Sequence, residues 1–341
     1  MSNTHIRGPI QYFWSTAHND SLLVAVGAGI GLNSQYYVAT SMGSINWTGQ
    51  VHRNGTDKNY ADVAYSPSLR IFVAVDATNA GPITSVDGVT WTLRTGVGGV
   101  LWNSILWCAD LAIFIAFGLT ISPSVTRLMT STDGINWTLR NFPAGEYYNV
   151  ADVTWSPSLS LLVAVGRDGA NPDVFTSPDG ITWTMVNTGI TGIEWMAVTW
   201  SPSLSLFVAV GRGGVANKIM TSPDGITWTQ RTSPNPTTHY WHSVCWSIEK
   251  SLYVACGVDN STGLGKIMTS SNGTSWTLRT LFSTSAMHDV IWIKYLNLFV
   301  SVGGGAGVDD CATSPDGTTW TQRTVPTSTG YYGVTYRNEI T

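Results

Sequence analysis

The chain has 341 residues with a formal net charge of −4, and only 11% of them are charged, against roughly 25% in an average soluble domain. It offers no basic surface for nucleic acid, and its longest apolar run, Leu111 to Leu119, falls well short of the ~18 residues that a membrane helix needs. The opening Met1-Ser2-Asn3-Thr4-His5-Ile6-Arg7-Gly8 lacks the apolar stretch that directs secretion, so the sequence predicts a chain made in a reducing cytoplasm without membrane insertion.

In chain order the sequence repeats itself, which decides the fold before its length is divided into domains. A Ser-x-Asp-Gly-x-Thr-Trp box ends at Trp47, Trp91, Trp137, Trp183, Trp228, Trp276 and Trp320, at intervals of 44 to 48 residues. Upstream of each box lies a second recurring piece, clearest as Val198-Thr-Trp-Ser-Pro-Ser-Leu-Ser-Leu-Phe-Val-Ala-Val-Gly211. It reads as a strand ending at Trp200, a Ser-Pro-Ser turn and a buried strand from Leu206 to Val210. A third strand from Lys218 to Ser222 enters the box, and a fourth follows from Trp228 to Arg231. Four short antiparallel strands per repeat, with turn residues between them, predict a propeller blade. The expected fold is therefore all-β: a single domain over 1–341, a seven-bladed β-propeller of four-stranded antiparallel blades.

The box has a mechanical reading. In Ser222-Pro-Asp-Gly225, Pro presets φ, Asp accepts backbone amides through its short carboxylate, and Gly takes the positive φ that such a turn needs. Asp87, Asp133, Asp179, Asp224, Asn272 and Asp316 are thus assigned as structural turn residues; the first copy has Gly43 and Ser44 in place of Asp-Gly.

These boxes resemble the Asp-box, or BNR, repeat of sialidase-like β-propellers, whose pattern is Ser-x-Asp-x-Gly-x-Thr-Trp. Here Asp179 and Gly180 are adjacent, whereas the family has one residue between them. Arrays of Thr-Ser-Pro-Asp-Gly-Ile-Thr-Trp with Phe-Val-Ala-Val-Gly are also similar to those of bacteriophage tail and fibre proteins. That likeness implies a virion-associated role alongside other assembly proteins.

Ring closure is predicted from an eighth first-strand motif. The C-terminal Tyr331-Tyr-Gly-Val-Thr-Tyr336 matches Trp195-Met-Ala-Val-Thr-Trp200 position by position, better than the N-terminal Pro9-Ile-Gln-Tyr-Phe-Trp14 does. The segment 330–341 is accordingly read as the strand that closes the first blade and leaves no open sheet edge. The boxes and Ser-Pro-Ser turns then share one face. The irregular segments 54–59, 140–148, 232–242 and 259–265 occupy the other, where loops on a rigid scaffold usually carry binding.

On that second face, the entry to the first strands carries Tyr60, Trp102, Trp195, Trp241 and Tyr331, with Val150 and Met287 in the remaining copies. Two residues later come Asp62, Asp152 and Asp289, with Ser104, Ala197, Ser243 and Gly333 elsewhere. Rings interspersed with carboxylates would suit a sugar, but the preferred reading is that the rings plug the space between blades. The sialidase likeness would imply three arginines gripping a carboxylate, a Tyr nucleophile paired with Glu, and an acid/base Asp. The recurrent Arg94, Arg140, Arg231, Arg279 and Arg323 instead follow the box on the outer strand. Glu146, Glu194, Glu249 and Glu339 have no assignable Tyr partner.

No catalytic residue and no cofactor is therefore assigned. His239-Tyr-Trp-His242, with His288 as a conceivable third member, is read as loop packing rather than a metal site. Cys108, Cys245, Cys256 and Cys311 lack metal spacing and read as buried thiols, with a Cys245–Cys256 disulfide across one hairpin as the lesser alternative. Three functions remain in view: a virion-associated tail or decoration protein, which is preferred; a lectin-like receptor binder of cell-surface glycan; and a sialidase-like glycosidase.

Overall fold

The computed structural model describes residues 10–18, 22–29, 36–41, 48–51, 60–77, 81–120, 125–143, 149–167, 174–214, 216–235, 237–281, 285–305 and 308–323. The box before Trp47, Tyr331 and the proposed closing strand 330–341 lie outside them, as do segments 54–59 and 144–148. Strands account for almost all regular structure, and every strand pairing is antiparallel in sequence order. The four-stranded sheets span residues 10–51 (sheet I), 60–93 (II), 100–140 (III), 149–186 (IV), 194–231 (V), 239–279 (VI) and 287–323 (VII). Sheets I to III fall in one compact unit and sheets IV to VII in another.

Sheet V illustrates the pattern, with strands Glu194–Ser201, Leu206–Arg212, Ile219–Ser222 and Thr229–Arg231. Its second strand is apolar on both faces because sheets cover both of them, and Phe207, Val208, Ala209 and Val210 are fully buried. The first turn is tied by Ser201, whose Oγ accepts the Leu204 N–H at 3.3 Å, and Ser205 turns the chain at φ 47°.

The box behaves as its residues dictate. Asp224 Oδ1 accepts the N–H groups of Ile226 and Thr227 at 2.8 and 2.7 Å and the Ser222 hydroxyl at 2.9 Å. Gly225 sits at φ 74°, and its carbonyl accepts the Trp228 indole N–H at 3.0 Å. Asp87, Asp133, Asp179 and Asp316 repeat this arrangement, and Asn272 does so through its amide oxygen. In sheet V a column of three rings results: Trp200 and Trp228 flank Phe207 at centroid distances of 4.4 and 6.3 Å. Offset aromatic pairs of this kind add to the stabilisation from burial.

A β-bulge recurs in the first strand. The register shifts between Tyr60 and Asp62, Val150 and Asp152, Trp195 and Ala197, Trp241 and Ser243, and Met287 and Asp289. The extra residue kinks the strand, and the glycine ending Val-Ala-Val-Gly meets it. A Cβ at Gly211 or Gly257 would collide with the carbonyl oxygen of Glu194 or Tyr240.

Candidate functional site

The bulge explains where the predicted site residues go. Tyr60, Trp102, Trp195 and Trp241 are at most 1% exposed. Each belongs to a core cluster with the second strand of the preceding sheet: Trp195 with Val163 and Val165, Trp241 with Val208 and Val210. Tyr60 joins Val24 and Val26, and Trp102 joins Val73 and Val75. These four rings are packed in the core and not presented on an open face. Strand alternation would place residue i beside residue i+2, but the bulge breaks that alternation and sends the ring into the core.

The carboxylates two residues later serve the backbone. Asp62 accepts the N–H of Val63 and, in the next sheet, that of Ile105, both at 2.8 Å. Asp152 accepts those of Val153 at 2.8 Å and Val198 at 3.0 Å. Asp289 accepts the Val290 N–H at 2.8 Å and the Ser243 hydroxyl of the preceding sheet at 2.5 Å. These acids fasten neighbouring first strands together.

The histidines divide. His242 and His288, at bulge positions of sheets VI and VII, stack at 5.3 Å and 15° between planes. Burial holds His288 below the usual histidine range, against the opposing effect of the Gly304 carbonyl, which lies 3.2 Å from Nε2. His239 is buried apart from them, edge-on to Trp241, with Asp259 at 3.7 Å from Nε2. Burial also lowers its pKa, more than Asp259 raises it. Among the described residues no group of three or more His, Cys, Asp or Glu is placed to hold a metal ion. All four cysteines are free thiols.

Sequence reasoning missed two features. Lys218 is fully buried, with Nζ 5.3 Å from the Tyr240 ring centroid, and burial lowers its pKa. Nothing in the local sequence distinguishes it from an outward-facing lysine. The second feature was legible as a recurring letter. The strand-one to strand-two turns expose Leu69, Leu159, Leu204 and Ile248, and the boxes expose Val89, Ile135 and Ile226. In a meander these two turns lie at the same edge of each sheet.

No protein-family model matches the chain, and no curated protein does. Solved structures do resemble it. A protein from Lactobacillus plantarum aligns at a TM-score of 0.64 and 12% identity, over 91% of this chain and 97% of that one. The periplasmic gluconolactonase of Pseudomonas aeruginosa aligns at 0.63 and 10%, over 90% and 97%. The WD40 β-propeller domain of Doa1 aligns at 0.57 and 14%, over 86% and 90%. The likeness is one of fold alone: the chain is an all-β protein resembling β-propellers. Among the described residues no helix is long and apolar enough to cross a membrane.

Proposed function

We propose that the chain is a non-enzymatic seven-bladed β-propeller, closed by its C-terminal strand, that serves as a rigid docking element in a larger assembly. The narrower form of this reading is a virion-associated tail or decoration protein, made in the host cytoplasm and partnered by other virion proteins. The observation that carries it is the recurring aliphatic edge. Ile226 is 60% exposed and Ile248 54%, and they stand beside turns whose backbone is held rigid by serine and aspartate side chains. Repeated apolar groups on a firm surface suit a protein partner. The alternative, a lectin-like module, draws no support from the described tryptophans, none of which is exposed. Asp152 and Asp224, carboxylates that a glycosidase site would draw on, are bonded to backbone amides.

Density-gradient sedimentation of virus-sized particles from the source culture tests this reading, with the chain followed by antibody. The chain is expected to band with particles, and a Leu204→Asp/Ile226→Asp variant expressed in its place is expected to remain unbound while melting normally. Absence from every particle band, or banding unaffected by the variant, would overturn it. Turnover of glycoside substrates by the purified chain would overturn the non-enzymatic assignment.

A further inference from the structure

The outer strands carry a second repeated surface, distinct from the aliphatic edge. Three residues after the box tryptophan stand Arg94 and Arg140 in one unit and Arg231, Arg279 and Arg323 in the other. Each donates its Nε–H to a threonine hydroxyl on the adjacent third strand, at 2.8–2.9 Å. That bond orients the guanidinium and leaves both Nη groups without an acceptor among the described residues. None of the five takes part in an ion pair among the described residues, whose pairs are Arg212–Glu194, His239–Asp259 and Lys294–Glu249. A purely structural role would need only the Nε bond. A fork so oriented matches the two oxygens of a carboxylate.

The neighbours narrow the ligand. Two residues before each arginine is a threonine, as in Thr229-Gln-Arg231 and Thr277-Leu-Arg279, and all five of these threonines are exposed. Residues two apart in a strand share a face, so each of these outer strands presents a hydroxyl beside a guanidinium. This pairing fits a sugar that carries both a carboxylate and ring hydroxyls. A nucleic acid, with its dense charge, fits poorly, since five of the repeats supply one such cation apiece and the chain as a whole carries −4. Sheet IV has the buried Val186 at this position and lacks the fork.

We infer that the outer strands bind an acidic polysaccharide, with one uronate-type sugar taken by each Thr-x-Arg pair. The inference concerns a surface other than the aliphatic edge and stands independently of the proposed docking role.

The test measures binding of the full chain to immobilised polygalacturonate, neutral dextran and double-stranded DNA, at low and near-physiological salt. Polygalacturonate is expected to bind, dextran and DNA not, with affinity falling as salt rises. An Arg231→Gln/Arg279→Gln/Arg323→Gln variant should bind at least about tenfold more weakly, while the Lys triple keeps the charge, loses the fork and falls between. Should the Gln triple fail to fold, Thr229→Val/Thr277→Val/Thr321→Val serves instead, since among the described residues these exposed hydroxyls bond to nothing the fold needs; it too should weaken binding. No binding to polygalacturonate, equal binding by whichever variant folds, or a preference for DNA would each overturn the inference.

Discussion

At the scale of one residue, the box aspartate acts as a small backbone cap. What the site requires is an oxygen two bonds from Cβ, and Asn272 shows that charge is optional: its Oδ1 accepts the N–H groups of Thr274 and Ser275, both at 2.9 Å. Asp224→Asn should therefore cost little, whereas Asp224→Ala strands two amides and should lower stability by about 1–2 kcal/mol. Urea unfolding of the three proteins separates the two outcomes. Protonation should matter as well. In Asp133 partial burial pulls the pKa up, but hydrogen bonds from Asn136, Ile135 and Ser131 outweigh it and bring the carboxyl from 3.8 to about 2. Asp87, Asp179, Asp224 and Asp316 shift in the same direction. A depressed folded-state pKa gives stability that is complete above the unfolded value and lost as pH falls through the folded one. The urea midpoint should thus drop between about pH 4 and pH 2, and Asp133→Asn should flatten that drop.

Among elements, the meander was legible because Trp, Pro, Asp and Gly recur at fixed intervals and each has a local mechanical role. Turn positions, positive-φ glycines and buried second strands all follow from residues within one repeat. The fate of Trp195 and Asp152 did not, because it depends on a one-residue bulge that reverses the faces of the strand after it. Such a bulge is set by the glycine across the ladder, Gly211 or Gly166, and by packing against the preceding sheet. Asp152 then becomes a fastener between sheets IV and V. Asp152→Ala removes acceptors from Val153 and Val198 and should cost about 2–3 kcal/mol, as expected for hydrogen bonds to a charged group. Trp195→Ala should cost about 3–5 kcal/mol by leaving a cavity in the core. Denaturation midpoints check both, and a change below ~0.5 kcal/mol in either would contradict its assigned role.

For the whole molecule, stability depends on how each sheet is covered. Within the units, the entry residue of one first strand packs on the second strand of the sheet before it, as Trp241 does on Val208 and Val210. The box glycine does likewise: a Cβ on Gly273 would meet Leu206 and Val208. A linear stack built by this rule leaves an uncovered apolar face at each end, which a chain with so few charges tolerates poorly. In the proposed closure the segment 331–336 would cover such a face, since Tyr331 and Val334 align in sequence with Trp195 and Val198, beside a sheet I whose first strand is Ile10–His18. Each such side chain contributes about 1.5–3 kcal/mol on burial. Together they amount to several kcal/mol, or a fall of about 10 °C in melting temperature for a domain of this size. Deletion of 330–341 should produce that fall, together with increased binding of a hydrophobic dye. Tyr331→Ala alone should produce part of it. An unchanged melting temperature in the truncated chain would mean that the C-terminal segment plays no part in closure and that Ile10–His18, which pairs with Leu23–Gly29 as the first strand of sheet I, suffices.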